Sequence, residues 1–155
     1  MKIELQKVAI DEAEELHRLQ QLGFCALLEK YQDYDTNPGA ESMERIRQRF
    51  AYNTVDQYWI KMGAEIIGYI RIQHKKNEVY RLSQMFILPE FQGQGYAQQA
   101  IQQAESSYPQ AKAWELDTIK QEPKLCHLYE KMGYRLAGSE HHIQAGMDLI
   151  DYTKP

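Results

Sequence analysis

The stretch Met85-Phe86-Ile87-Leu88-Pro89-Glu90-Phe91-Gln92-Gly93-Gln94-Gly95-Tyr96-Ala97 connects an apolar strand to a helix through a glycine-rich turn. Gly93 and Gly95 let the backbone turn tightly, so several N–H groups can point into one small volume where the helix begins. The positive end of the helix dipole makes that volume attractive to anions, and to phosphate oxygens in particular. The stretch therefore predicts a phosphate-binding loop.

Two common phosphate-binding loops do not fit these residues. A dinucleotide-binding fingerprint needs a third glycine three residues after Gly95, and position 98 is Gln98. A Walker loop needs Gly-Lys followed by Ser or Thr, whereas Gly95 is followed by Tyr96. The sequence excludes both classes of loop.

The residues do fit the pattern Gln/Arg-x-x-Gly-x-Gly/Ala, preceded by a hydrophobic-x-Pro segment, Ile87-Leu88-Pro89. In this form the stretch resembles the acetyl-CoA loop of the GCN5-related N-acetyltransferases, the GNAT family. The resemblance implies that main-chain N–H groups of the loop hold the pyrophosphate of acetyl-CoA, which concerns Gln92, Gly93, Gln94, Gly95, Tyr96 and Ala97. It also implies that the exposed main chain of Met85, Phe86 and Ile87 pairs with the pantetheine amides, and that the N–H of Ile87 polarises the thioester carbonyl.

A second segment, Leu128-Tyr129-Glu130-Lys131-Met132-Gly133-Tyr134, is similar to the family's signature Leu-Tyr-x-x-x-Gly-Phe/Tyr. The resemblance places Tyr129 beside the sulfur of CoA, both as a cofactor-binding residue and as the acid that protonates the leaving thiolate. A phenol has a reference pKa of about 10 and a thiol one of about 8.5. Catalysis by Tyr129 would therefore depend on tight positioning in the transition state rather than on driving force.

A carboxylate is the expected base. Asp117 lies at the end of a predicted strand, twelve residues before Tyr129, where related enzymes often place a carboxylate. Because side chains alternate along a strand, Glu115 shares its face with Asp117. The sequence leaves open whether Asp117, Glu115 or a relaying water accepts the proton of the amine.

One residue departs from the family pattern. Family members often carry Asn seven residues before the tyrosine, and this chain has Glu122 there. An amide can bond the pantetheine or a water as donor and acceptor, whereas a carboxylate only accepts. Glu122 thus puts that contact in question.

The predicted acceptor site lies in the loop between the first two helices, which borders the acceptor cleft in this fold. Its candidate residues are Tyr31, Asp33, Tyr34 and Asp35. Carboxylates and aromatic ring faces both attract an ammonium group. The loop therefore predicts a small primary amine or an α-amine as acceptor, with peptide N-termini left open.

Composition limits the class of protein. A chain of 155 residues with 43% hydrophobic and 26% charged residues is typical of one soluble domain. The resemblance implies that residues 1–155 form a single GNAT domain. No run of about 18 apolar residues is present, and the charged start Met1–Leu5 lacks the apolar core of a signal peptide. We therefore expect no contact with membranes, a cytoplasmic location, and reduced thiols at Cys25 and Cys126.

The charge and the histidines argue against two further classes of partner. The net charge is -4 and the basic residues are scattered, which disfavours nucleic acid and also a toxin-like acetylation of charged tRNA. His141 and His142 have no further ligands at metal-binding spacing, so we interpret them as surface residues and expect no metal.

The periodicity of apolar residues predicts the element order βααβββαβαββ, with Gly138 to Gly146 as a loop between the last two strands. This is an α/β (α+β) fold, a mixed and mostly antiparallel central sheet of six to seven strands flanked by about four helices. The GNAT family has the same order, so the resemblance covers the whole chain. Homodimerisation through the final strands is a habit of that family.

Two functions compete. No residue stands out as an acylated nucleophile, so the sequence favours an N-acetyltransferase that moves the acetyl group directly in a ternary complex. The alternative is a non-catalytic CoA-binding sensor or regulatory protein on the same fold. Tyr129 argues for the enzyme, and Glu122 argues mildly for the sensor.

Overall fold

The computed structural model describes residues 2–155 and contains seven strands and four α-helices in the predicted order. The strands are β1 (Glu4–Lys7), β2 (Val55–Met62), β3 (Glu65–His74), β4 (Val79–Ile87), β5 (Ala113–Ile119), β6 (Arg135–Gln144) and β7 (Met147–Lys154). The helices are α1 (Ala13–Tyr31), α2 (Met43–Arg49), α3 (Tyr96–Ser106) and α4 (Pro123–Lys131). The predicted mixed, mostly antiparallel sheet is confirmed.

All seven strands form one sheet in the order β1-β2-β3-β4-β5-β7-β6. Every neighbouring pair is antiparallel except β4 and β5, which are parallel. The parallel pairing is short, because it joins only Val79–Arg81 to Ala113–Glu115. Beyond these residues β4 and β5 separate, and the second half of β4 has a strand neighbour on its β3 side alone.

A β-bulge marks the point where β4 leaves β5. Arg71 of β3 lies opposite Gln84, but the next residue, Ile72, lies opposite Leu82, so Ser83 is an extra residue in β4. The Ser83 hydroxyl accepts from Arg71 Nε at 3.0 Å and donates to the Arg71 carbonyl at 3.2 Å. A bulge bends its strand and increases the local twist, which directs the end of β4 away from β5.

Helices cover both faces of the sheet. Helices α1 and α2 pack on one face, through a cluster of Leu16, Leu19, Ile46, Trp59, Tyr69 and Phe86. On the other face α3 presents Ala100, Ile101 and Ala104 to the core, with no exposed surface on any of the three. The small alanines let α3 lie close to the sheet, as its sequence predicts.

The prediction of a loop from Gly138 to Gly146 is wrong. Strand β6 continues to Gln144, and only Ala145 and Gly146 form the turn into β7. The strand is hard to recognise because residues Arg135 to His142 are all exposed, so the period-two alternation of apolar residues is missing. Two register irregularities against β7 also interrupt it.

Within residues 2–155, every helix is too short or too polar to cross a lipid bilayer.

Candidate active site

The loop between β4 and α3 exposes a row of unpaired backbone donors. Gly93 and Gly95 have φ angles of +75° and +83°, and nothing lies within 4 Å of where a Cβ would be placed. Helix α3 begins at Tyr96, and its N-cap residue Gly95 has no side chain to cap it. Within residues 2–155, no acceptor receives the N–H groups of residues 93–98. The loop therefore offers an open cluster of donors at a helix start, which favours an anion.

The first motif residue has an internal role. Gln92 Nε2 donates to the carbonyl of Ile87 at 2.8 Å, which ties the loop back to the end of β4. This bond holds the loop donors at a fixed place relative to the strand.

The second half of β4 presents main-chain groups to the cleft. The Leu88 N–H donates to the Ile67 carbonyl at 2.8 Å. Because the hydrogen-bonding direction alternates along a strand, the main-chain groups of Phe86, two residues earlier, also point towards β3. The main-chain groups of Met85 and Ile87 consequently point to the opposite side, where β5 has already separated. Of the three residues predicted to pair with pantetheine, Met85 and Ile87 thus have backbone groups facing the cleft, whereas Phe86 has its backbone turned to β3 and its side chain in the core.

Within residues 2–155, the Tyr129 hydroxyl has no hydrogen-bond partner, whereas the hydroxyls of the two neighbouring tyrosines are both hydrogen-bonded. Its ring packs against Tyr134 at 6.2 Å and Tyr152 at 6.5 Å between centroids. Those two neighbours donate their hydroxyls to Glu105 at 2.8 Å and Glu130 at 2.7 Å, but the Tyr129 hydroxyl has no hydrogen-bond partner in the described chain. Burial, together with the charge of Asp117, raises the pKa of Tyr129 to about 12. The phenol is therefore protonated at neutral pH and free to donate.

The two candidate bases lie on one face of β5, as predicted, with different partners. Asp117 Oδ2 accepts from the Arg81 guanidinium at 2.6 Å, and Glu115 pairs with Lys75 and lies 3.8 Å from Arg81. Glu115 lies opposite Arg81 in the parallel pairing, and Asp117 lies two residues further along, where the cleft has opened. Asp117 is therefore the carboxylate that borders the cleft.

Arg81 is a residue of the site that the sequence did not suggest. It comes to Asp117 only because β4 and β5 are adjacent, and 25 intervening residues that contain α3 separate Ile87 from Ala113. A basic residue at an alternate position of a strand is the one local signal that could have pointed to it.

Glu122 joins the start of α4 to the end of α1. Its carboxylate accepts from Lys30 Nζ at 2.6 Å and from the Tyr31 hydroxyl at 2.5 Å. Burial opposes ionisation of Glu122, but these two hydrogen bonds outweigh it, so its pKa is lowered. Gln144, before the β6–β7 turn, donates to the Tyr31 carbonyl at 2.5 Å. The end of α1 is thus joined to the start of α4 and to the last hairpin, and the Tyr31 hydroxyl is occupied.

In the predicted acceptor loop, one residue holds the turn by hydrogen bonds and two others are accessible. Asp33 is only 4% exposed, and its Oδ1 accepts from the N–H groups of Asp35 and Thr36 at 3.2 and 3.1 Å. Its second oxygen accepts from the Thr36 hydroxyl. Asp33 therefore fixes the turn. Tyr34 and Asp35 are exposed and remain open to a ligand.

The described residues contain no group of three or more His, Cys, Asp or Glu side chains placed to hold a metal ion. His141 and His142 instead contact Asp151 at 3.0 Å and Asp148 at 2.8 Å on the exposed hairpin.

Solved structures share this architecture over nearly their full length. An acetyltransferase from Thermus thermophilus superposes with a TM-score of 0.77 at 18% identity, covering 100% of this chain and 97% of its own. A spermidine N-acetyltransferase from Vibrio cholerae, solved with CoA and spermine, gives 0.77 at 19% identity, covering 98% and 94%. RimL, a ribosomal L7/L12 alpha-N-protein acetyltransferase solved with CoA, gives 0.75 at 18% identity, covering 99% and 94%. At these identities the likeness concerns the fold.

Among curated proteins, none matches this chain significantly in sequence. The family model described as Acetyltransferase (GNAT) domain matches residues 27–155, which include the glycine loop, Asp117 and the Tyr129 segment. With the predicted strand-loop-helix and the predicted element order both present in the structure, the chain belongs to the GNAT acetyltransferase family.

Proposed function

We propose that the protein is an acetyl-CoA-dependent N-acetyltransferase that transfers the acetyl group directly to a primary amine of a small molecule or peptide. The observation that carries the proposal is the presence of unpaired groups in the loop after β4, on the outward side of β4 and at Tyr129 of α4. The free N–H groups of residues 93–98 suit a pyrophosphate, and the free Tyr129 hydroxyl suits the sulfur. The outward main chain of Met85 and the outward N–H of Ile87, whose carbonyl is bonded to Gln92, suit the pantetheine amides. Two structural neighbours were solved with CoA, which supports CoA as the carrier of the acetyl group.

The chemistry follows from the charges of the site. The amine must be neutral to attack the thioester carbonyl, so Asp117 accepts its proton, directly or through a water. The N–H of Ile87 stabilises the oxyanion as the tetrahedral intermediate forms. When the C–S bond breaks, Tyr129 donates its proton to the leaving thiolate. The Arg81 guanidinium holds the Asp117 carboxylate in place during these steps.

The acceptor is recognised by its ammonium group at the loop after α1. Tyr34 and Asp35 are the accessible members of that loop, whereas Asp33 is used by the loop itself. Spermine is bound by one neighbour and another acetylates a protein N-terminus, so both acceptor classes belong in a test. Replacing Asp35→Asn should raise the KM for the acceptor, because it removes an accessible carboxylate without touching the turn. An unchanged KM would remove the loop from the acceptor site.

The decisive experiment compares wild type with Tyr129→Phe on a panel of polyamines, amino acids and short peptides. Product should be detected by mass, since Cys25 and Cys126 are free thiols that interfere with thiol reagents. We expect kcat to fall at least about tenfold in Tyr129→Phe while acetyl-CoA binding is retained. Tyr134→Phe is the matched control, because it removes the hydroxyl of the neighbouring ring, which is bonded to Glu105.

A non-catalytic CoA-binding sensor is the second candidate, and Glu122 is the observation that favours it. The carboxylate stands at the usual place of an amide and is engaged by Lys30 and Tyr31, so it leaves a different surface for pantetheine. Tight binding of acetyl-CoA with no acetylated product from any acceptor of the panel would favour the sensor.

A further inference from the structure

A second basic residue of the sheet, Arg71, has no ionic partner. Its Nε donates to Ser83 at the β4 bulge, but its Nη1 is buried and has no hydrogen-bond acceptor in residues 2–155. No carboxylate oxygen of the described chain comes within 4.0 Å of its guanidinium, in contrast to Arg81, which pairs with Asp117 at 2.6 Å. A buried guanidinium donor without an acceptor is costly to retain for structure alone.

The surroundings of Arg71 contain one more positive than negative charge. The nearby carboxylate, Glu41, is bound in a bidentate way by Arg49, at 2.8 and 2.5 Å. Glu41 also accepts from Gln20 at 3.1 Å, so its oxygens are occupied. Burial, with the repulsion of Arg49, lowers the pKa of Arg71. The cluster of Arg71, Arg49 and Glu41 therefore has one more positive than negative charge.

Arg71 and Asp117 belong to the same face of the sheet. Arg81 of β4 lies opposite Gln73 of β3, and Gln73 is two residues from Arg71, so Arg71 and Arg81 are on one face. Arg81 also lies opposite Glu115, which shares its face with Asp117. Along the strands, Arg71 and Asp117 lie at the level of the Ser83 bulge, where the cleft opens. Neighbouring paired strands are about 4.8 Å apart, so β3 and β5 are roughly 10 Å apart where β4 still pairs with both, and they lie farther apart at the level of Arg71 and Asp117. Arg71 thus borders the side from which the acceptor approaches Asp117.

We propose that the acceptor has, in addition to its amine, an anionic group, a carboxylate or a phosphate, that pairs with the Arg71 guanidinium. The inference rests on the proposed acetyltransferase function and narrows its substrate class. An arginine presents a planar fork that matches both anions and bonds them with two parallel N–H groups. With the amine at Asp117 and the anion toward β3, the two groups of the acceptor are separated by several bonds.

Matched acceptors test this preference directly. Lysine differs from 1,5-diaminopentane by one carboxylate, and 5-aminopentyl phosphate differs from 5-aminopentanol by one phosphate. We expect the anionic member of at least one pair to have a kcat/KM at least about tenfold higher in the wild type. The pair that shows the larger ratio identifies the anion as carboxylate or phosphate.

Variants then assign the preference to Arg71. Arg71→Gln should raise the KM of the anionic acceptor at least about tenfold, with kcat and the KM of acetyl-CoA within about twofold. The KM values of 1,5-diaminopentane and 5-aminopentanol, which have no anionic group, should stay unchanged. Arg71→Lys keeps the charge and should retain part of the preference. Arg135→Gln is the matched control, because Arg135 is exposed and has no ion pair within residues 2–155. A circular dichroism spectrum establishes that each variant is folded.

Failure of this inference differs from failure of the proposed function. If amines are acetylated but both members of each pair react equally, the acetyltransferase stands and the anionic acceptor is wrong. If no amine is acetylated, anion binding is measured without turnover, as the shift in Tm with increasing inorganic phosphate or glutarate at constant ionic strength. A rise in the wild type that Arg71→Gln abolishes and Arg135→Gln keeps supports the anion site, and equal shifts in all three proteins overturn it.

Discussion

At the scale of single residues, Asp117 and Glu115 differ in position more than in chemistry. Both carboxylates lie on one face of β5 and both have basic neighbours. Glu115 is inside the paired region of β4 and β5, whereas Asp117 is beyond it and borders the cleft. The face was predictable from alternation, but the choice between the two residues depends on where the strands separate.

This difference gives a first prediction. Asp117→Asn should lower kcat/KM for the amine by about 100-fold, because an amide does not accept the proton of an ammonium group. Glu115→Gln should change it by less than about threefold, since Glu115 pairs with Lys75 away from the opening. Steady-state kinetics with saturating acetyl-CoA measures both. The reverse order of effects would assign the base to Glu115, and equal small effects would favour a water relay independent of either carboxylate.

At the scale of elements, the loop before α3 depends on glycine for its shape. Gly95 has a φ of +83° at the N-cap of α3, a left-handed conformation that costs other residues about 1–2 kcal/mol. Gly138 of β6 has a φ of +95° and is equally open, so it provides a matched comparison.

We therefore predict that Gly95→Ala and Gly138→Ala lose a similar free energy of unfolding, roughly 1 kcal/mol. Only Gly95→Ala should weaken acetyl-CoA binding, by about tenfold, because it displaces the N–H donors of the loop. Urea unfolding and calorimetric titration separate the two effects. Equal loss of acetyl-CoA affinity in both variants would mean that the loop does not hold the pyrophosphate.

The contact between α1 and α4 gives a third prediction. The Tyr31 hydroxyl donates to Glu122 at 2.5 Å, so either partner alone should contribute about 1–2 kcal/mol to the free energy of unfolding. Tyr31→Phe and Glu122→Ala should each be destabilising, and the double variant should cost clearly less than the sum. A strictly additive double-mutant cycle would show that the two residues act independently.

The sequence predicted the order of the elements because each has a strong local pattern, such as the small apolar face of α3 or the glycines that turn β4 into the loop. It did not predict the full length of β6, where exposure on both faces removes the alternation. Arg81 was also missed, as was Arg71, the residue that we propose to bind an anion. Their significance depends on the bulge at Ser83 and on the pairing of β4 with β5, which are relations between distant segments.

At the scale of the whole molecule, buried tyrosines couple stability to alkaline pH. Burial raises the pKa of Tyr69, which has no exposed surface, to about 12. Burial and hydrogen bonds to carboxylates also raise the pKa values of Tyr108 and Tyr134. In the unfolded chain these phenols ionise near their reference pKa of about 10. Above that pH the unfolded state releases protons that the folded state keeps, so ionisation favours unfolding.

We predict that the contribution of these tyrosines to the free energy of unfolding is fully present below about pH 10. It should be lost progressively as the pH rises toward 12. Tyr69 alone should account for roughly 2–3 kcal/mol of that loss, since one pKa unit corresponds to 1.36 kcal/mol. Urea unfolding between pH 8 and 12 measures it. Tyr69→Phe should flatten the alkaline slope, whereas Tyr52→Phe, at an exposed position, should not. Identical slopes in both variants would contradict the assignment.

The short joint between β4 and β5 has a consequence for how the molecule moves. In the backbone pairing of the sheet, only Val79–Arg81 and Ala113–Glu115 connect strands β1 to β4 with strands β5 to β7, and within each half the neighbouring strands pair over longer stretches. Because three residue pairs hold β4 to β5, we expect the sheet to bend most easily between these two strands. A cosubstrate lying in the opening would touch both halves. Its arrival would then stiffen the sheet, and its departure as CoA would release the two halves to part again.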